Sequence, residues 1–119
     1  MKRTPLRGEI WYVKLPTDPT DKPPRPVVIV SINQRNSHPR ASTVLVVPLT
    51  GSVEKGLISH IPLSPGETGL HPSCLRCEDI TTVFREALIE PKQQLRTLSH
   101  TRICQIADGV RTAMGCPRL

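Results

Sequence analysis

A chain of 119 residues with 16 basic against 10 acidic side chains, net +6, has room for one domain and one core. Its hydrophobic content is 37%, low but globular, and no window approaches the ~18 apolar residues that a membrane-spanning helix requires. The basic N-terminal stretch lacks the apolar run of a signal peptide, so the expected location is the cytoplasm, where the four cysteines would be reduced.

Thirteen prolines, against a usual share of ~5%, are scattered along the chain and read as short strands separated by rigid turns. "GEIWYVKL", 8 to 15, is the first expected strand, rich in β-branched and aromatic residues after Gly8. "TDPTDKPP", 17 to 24, carries every turn signal. "RPVVIVSI" is the second strand, apolar on both faces and therefore central. "NQRNSHPR", 33 to 40, reads as a polar loop. "STVLVVPLT", 42 to 50, is the third strand, and Pro48 predicts an edge or bulge there because it cannot donate to a ladder. Strands over 56 to 63 and 74 to 83, separated by the loop "SPGETGLHPS", complete the β-part. Ile103, Ile106, Ala107, Val110, Ala113 and Met114 then recur at helical spacing, with Ser99 as N-cap, Gly115 as C-cap and Pro117 blocking continuation. Gly109 costs such a helix about 1 kcal/mol relative to alanine, so packing must hold it. The expected architecture is mainly β (α+β): one small, strongly bent antiparallel barrel with a C-terminal helix.

"KPPRPVVIVS", 22 to 31, places a permanent charge among prolines at the mouth of a buried strand. Pro24 and Pro26 fix their own φ and push the preceding residues to extended geometry, so Arg25 is held stiffly. The net charge, with eleven arginines among the basic residues, suits a polyanion or an acidic protein partner.

Cys74 and Cys77, "CLRC", are half of a zinc site by spacing. On one strand, residues three apart face opposite ways, which favours buried small hydrophobes and no metal; Cys116 in the tail is the redox-labile thiol. His38, His60, His71 and His100 show no paired spacing and read as solvated or capping side chains. "SPGETGLH" lacks the spacing and lysine of a P-loop.

In chain order, "RGEIWYVKL", "RPVVIVS", "TVLVVPLTGS", "LRCEDITTV" and the amphipathic C-terminal helix resemble the MazF/PemK toxins over roughly residues 6 to 115. The resemblance implies an SH3-like, CcdB/MazF/PemK-like barrel in one domain, 1 to 119. It implies a homodimeric endoribonuclease of a type II toxin–antitoxin system, sequence-selective on single-stranded RNA and working without a metal or other cofactor. The implied protein partner is an acidic antitoxin, partly disordered until bound, with which such toxins bind DNA; no membrane is involved. By position, Arg25 and Thr50 are the catalytic pair acting on the scissile phosphate. Ser52 is an RNA-binding residue, and Asp79 stands near the dimer groove, also as an RNA contact. The loop over 17 to 24 covers the RNA in the family, which adds Asp21 and Lys22 to the binding set. This loop departs from the family pattern: Thr20 replaces a glutamate, no glycine is present, and Asp18 and Asp21 are its nearby acids.

RNA is cut when its 2′-hydroxyl attacks the adjacent phosphorus, a reaction that needs a charge-stabilising fork more than a protein nucleophile, and arginine supplies that fork. Two other readings stay open: a non-catalytic barrel that binds RNA or antitoxin, and a CcdB-like gyrase poison. The latter works through a C-terminal tryptophan, whereas this chain ends "GCPRL" and has its tryptophan at Trp11.

Overall fold

Val27, Val28 and Ile29 are fully buried, each worth roughly 1.5–3 kcal/mol of burial, and they anchor the sheet. The computed structural model describes residues 3–51, 59–93 and 96–117. Strand β1 (Ile10–Val13) pairs antiparallel with β2 (Arg25–Ile29), Ile10 opposite Val28 and Val13 opposite Arg25. β2 pairs on its other side with β3 (Thr43–Thr50), the longest strand, Val27 opposite Pro48. Then come β4 (His60–Leu63), β5 (Ser73–Arg76) and β6 (Thr81–Phe84). The sheet runs β1-β2-β3-β5-β4, with β6 also on β3. Among the described residues it is one six-stranded antiparallel sheet, not closed, with a C-terminal helix, which is the mainly β (α+β) architecture expected from the sequence.

β3 changes partner halfway along. Thr43 to Val46 face β6, whereas Leu49 and Thr50 face β5. Pro48 falls in the interval, where a missing N–H costs the second ladder nothing; this is the break expected at that position. The strand expected over 74 to 83 is likewise two strands, β5 and β6. The 3-10 turn Cys77–Asp79 separates them and lets β6 reach the opposite half of β3.

Alternation along the strands fills two cores, one on each face. Val28, Val47, Leu49 and Leu75 pack with Ile103 and Ile106. Val27, Ile29, Val44 and Val46 pack with Trp11 and Val83. Trp11 is completely buried, and its indole N–H donates to Glu9 Oε1 at 3.1 Å. Burial alone would raise the Glu9 carboxyl. Hydrogen bonds from Arg3, the Leu6 amide and Trp11 outweigh it and hold the group below the ordinary carboxylate range.

Two expected loops contain single helical turns. α1 (Asn33–Asn36) forms because the Asn36 side chain is buried, donating to Ser31 O at 3.0 Å and receiving the Ser31 hydroxyl. α2 (Pro65–Thr68) opens on a capping box, in which Glu67 Oε2 accepts from Ser64 N at 3.0 Å and Gly69 closes the turn at φ 80°. The "SPGE" spelling carried that signal.

α3 (His100–Met114) has the expected caps: Arg102 N donates to Ser99 Oγ at 3.2 Å, and Gly115 turns left-handed at φ 75°. Its buried face is Ile103, Ile106 and Gly109, while Met114, 72% exposed, and Ala107 and Ala113 lie outside the core. Glu67 clamps the helix start through Arg102, Nε to Oε1 at 2.7 Å. That bond and the Ser64 amide hold the Glu67 carboxyl below its ordinary range. No helix among the described residues is long and apolar enough to cross a membrane.

Candidate functional site

β2 pairs with β3 as far as Val27 opposite Pro48, and just beyond that pair Arg25 and Thr50 line the same cleft. The Arg25 guanidinium is held from two sides: Nη1 donates to Asp18 Oδ1 at 3.2 Å, and Nη2 reaches Leu49 O at 3.4 Å. Asp18 is presented by a folded loop, its own amide donating to Leu15 O at 3.0 Å while Lys22 N donates to Pro19 O at 3.0 Å. The Asp18 side chain is only 10% exposed, against 25% for Arg25. The acid is thus the buried anchor and the arginine the presented group. Proline-fixed backbone and ion pair act on the same side chain.

Arg25 and Thr50 line one cleft of about 540 Å³. Its near wall is Asp18, Lys22 and the prolines of "KPPRP"; its far wall is 70 to 73 and Arg76. The two walls face each other because Thr50 pairs with Cys74 at the start of β5. Among the described residues, three cations, Lys22, Arg25 and Arg76, line this space against the one carboxylate of Asp18. Such a balance favours an anionic ligand, and fixed guanidiniums grip phosphate oxygens in pairs.

The residues expected from sequence separate accordingly. Arg25, Thr50 and Lys22 meet at the cleft; Asp21 is exposed on the same loop without lining it. Asp79 stands in the 3-10 turn and pairs with Arg76, Nε to Oδ2 at 3.1 Å, touching the site through that arginine. Ser52 lies outside the described residues. Arg76 and His71 line the cleft without having been expected there; only the pairing of β5 with β3 brings them in. His60 also departs from the solvated reading: its side chain is 4% exposed, with Nε2 3.4 Å from Glu78 Oε1.

Cys74 and Cys77 are both buried free thiols. Burial pushes the Cys77 thiol up to about 11 and raises Cys74 as well, which makes them poor nucleophiles and poor ligands. Among the described residues no three of His, Cys, Asp and Glu gather into a metal-binding set.

An open antiparallel sheet, a helix across one face and an arginine-lined cleft at the end of β2 and β3 define a small basic β-domain built around one cationic site. The chain belongs to the PemK-like, MazF-like toxins of type II toxin–antitoxin systems, whose family profile matches residues 6–114. No curated protein matches it significantly in sequence. Among solved structures, the toxin MazF-mt6 of Mycobacterium tuberculosis is 24% identical over 92% of this chain and 99% of its own, with TM-score 0.71. An endoribonuclease in complex with its cognate antitoxin, from a mycobacterial species, is 23% identical over 97% and 99%, with TM-score 0.71. A MazE–MazF structure from Deinococcus radiodurans is 14% identical over 97% and 100%, with TM-score 0.74. At these identities the likeness establishes the fold.

Proposed function

We propose that this chain is an endoribonuclease toxin that cuts single-stranded RNA without a metal. The observation that carries this reading is the Arg25 guanidinium, held in a cationic cleft by the carboxylate of Asp18, with Thr50 lining the same cleft. The RNA's own 2′-hydroxyl attacks phosphorus, the P–O5′ bond breaks, and negative charge builds on the two non-bridging oxygens. A fixed guanidinium meets that charge at no reorganisation cost, so its interaction is strongest in the transition state. Thr50 supplies one further hydrogen bond to a phosphate oxygen, and Lys22 and Arg76 hold the flanking backbone. The side chain of arginine stays protonated, so its work is electrostatic.

Family membership and the likeness to an endoribonuclease solved with its cognate antitoxin support one partner, a cognate antitoxin that is acidic to match the +6 chain; the second proposed partner is another copy of the toxin. Ser52, Asp21 and Asp79 remain candidate RNA contacts.

The test is cleavage of a long RNA by purified protein. Wild type should cut in the presence of chelator, and Arg25→Ala should lose cleavage while keeping its fold. Arg25→Lys should recover little, because an ammonium lacks the planar two-donor grip. A substrate carrying hydrogen in place of the 2′-hydroxyl at the cut position should be inert. Cleavage of that deoxy substrate, or full activity in Arg25→Ala, refutes the mechanism.

A further inference from the structure

The cleft is rich in donors and poor in acceptors. Lys22, Arg25 and Arg76 can all donate to phosphate or to a leaving oxygen. Removing the proton of a 2′-hydroxyl needs an acceptor, and among the described residues two lining side chains qualify: Asp18 and His71. Asp18 is occupied, since Oδ1 holds Arg25 and Oδ2 is buried away from solvent, out of reach of a substrate hydroxyl. His71, by contrast, is exposed on the far wall. Its backbone is fixed twice. Pro72 restricts it to extended geometry, and Ser73 Oγ donates to His71 O at 3.0 Å. Imidazole is the side-chain type suited to proton transfer near neutral pH.

We infer that His71 is the general base of the cleavage reaction, an assignment that rests on the endoribonuclease reading above. Its ring nitrogen takes the 2′-hydroxyl proton as the O2′–P bond forms. The P–O5′ bond breaks, and the 5′-oxygen leaves with its electron pair and takes a proton from solvent. The products are a 2′,3′-cyclic phosphate and a 5′-hydroxyl, and the imidazolium then returns its proton to water. The charged groups that line the cleft together with His71 are Lys22, Arg25 and Arg76, with Asp18 paired to Arg25.

The experiment is single-turnover cleavage of single-stranded RNA between pH 5 and 8 by wild type, His71→Gln, Arg25→Ala and, as control, His38→Gln from an exposed loop. The expected result for His71→Gln is a loss of about 10²-fold, with the wild-type rise in rate towards high pH flattened. Affinity for the deoxy RNA should be unchanged, and added free imidazole should restore part of the rate. A substrate whose leaving 5′-oxygen is replaced by sulfur needs no acid at that position. The defect should persist on it, and full restoration there would overturn the base assignment. If Arg25→Ala is inactive while His71→Gln keeps the wild-type rate and pH profile, the inference falls and the endoribonuclease reading stands. If wild type leaves the RNA intact, both fall.

Discussion

Gly109 of α3 rests directly on Cys77: a Cβ added to the glycine would lie 2.9 Å from both Cβ and Sγ of that cysteine. The helix packs on the 3-10 turn at this point, and so close an approach requires a residue without a side chain. The helix-propensity penalty of glycine is therefore the cost of a packing contact, and the two effects oppose each other in sign.

Gly109→Ala measures which one wins. Propensity alone would stabilise the variant by about 1 kcal/mol, whereas overpacking a fixed contact costs roughly 1–3 kcal/mol. The contact is with the cysteine's own Cβ, which cannot swing aside, so the net change should be destabilising. Cys77→Ala removes the Sγ part of the clash, and the double variant should cost less than the sum of the singles. Urea midpoints of the four proteins decide the matter; a stabilised Gly109→Ala would show that the helix is free to lift away.

The cysteines divide by the same packing. Cys74 and Cys77 are buried with raised thiols, Cys77 to about 11, whereas Cys104 and Cys116 are exposed. Titration with a thiol reagent at neutral pH should show two fast thiols in the native protein and all four in denaturant. Four fast thiols in the native state would contradict the burial.

β2 and its arginine were legible because their signals are local: an apolar run next to prolines fixes a strand and stiffens Arg25 without knowledge of the rest of the chain. The caps of α3 were legible for the same reason. The far wall of the cleft was not. His71 and Arg76 reach the site through Thr50 opposite Cys74, a long-range register that no local pattern encodes. The split of 74 to 83 was hidden likewise, because an apolar, β-branched stretch reads as one strand whether or not a 3-10 turn interrupts it. α1 depends on the burial of Asn36 against Ser31, and polar composition alone pointed to solvent.

Acid should weaken the fold through Glu9 and Glu67. Both carboxyls are held below their ordinary range in the folded chain, Glu9 by Arg3, Leu6 and Trp11 against the opposing effect of burial, Glu67 chiefly by Arg102. A depressed folded pKa contributes stability that is present above the unfolded value and lost as pH falls through the folded one. Urea midpoints should therefore drop below about pH 4.3. The drop should be smaller in a Glu9→Gln/Glu67→Gln variant, which starts lower at neutral pH. An equal acid loss in that variant would place the sensitivity elsewhere.

Asp18 is predicted to act through Arg25. Its carboxylate is the more buried member of the pair, 10% against 25% exposed, and only one of its oxygens is engaged, by the guanidinium. Removing it leaves Arg25 chemically intact and its prolines in place, but lets the guanidinium swing within the cleft. Misplacement by about 1 Å costs on the order of 10²-fold in rate, so Asp18→Ala should lower kcat by up to that factor. KM should change little, because the proposed backbone contacts of Lys22 and Arg76, which line the same cleft, are left in place. Asp18→Asn keeps an acceptor at the same place and should fall between wild type and alanine. Asp18→Glu retains the charge on a longer arm and should recover part of the loss if the ion pair, and not the shape of the loop, sets the position. A direct base would behave differently: its loss would flatten the pH–rate profile, whereas loss of an anchor lowers the whole profile in parallel. Parallel profiles with a kcat-only defect identify Asp18 as the anchor of Arg25; an undiminished kcat in Asp18→Ala would show that the prolines alone hold the arginine.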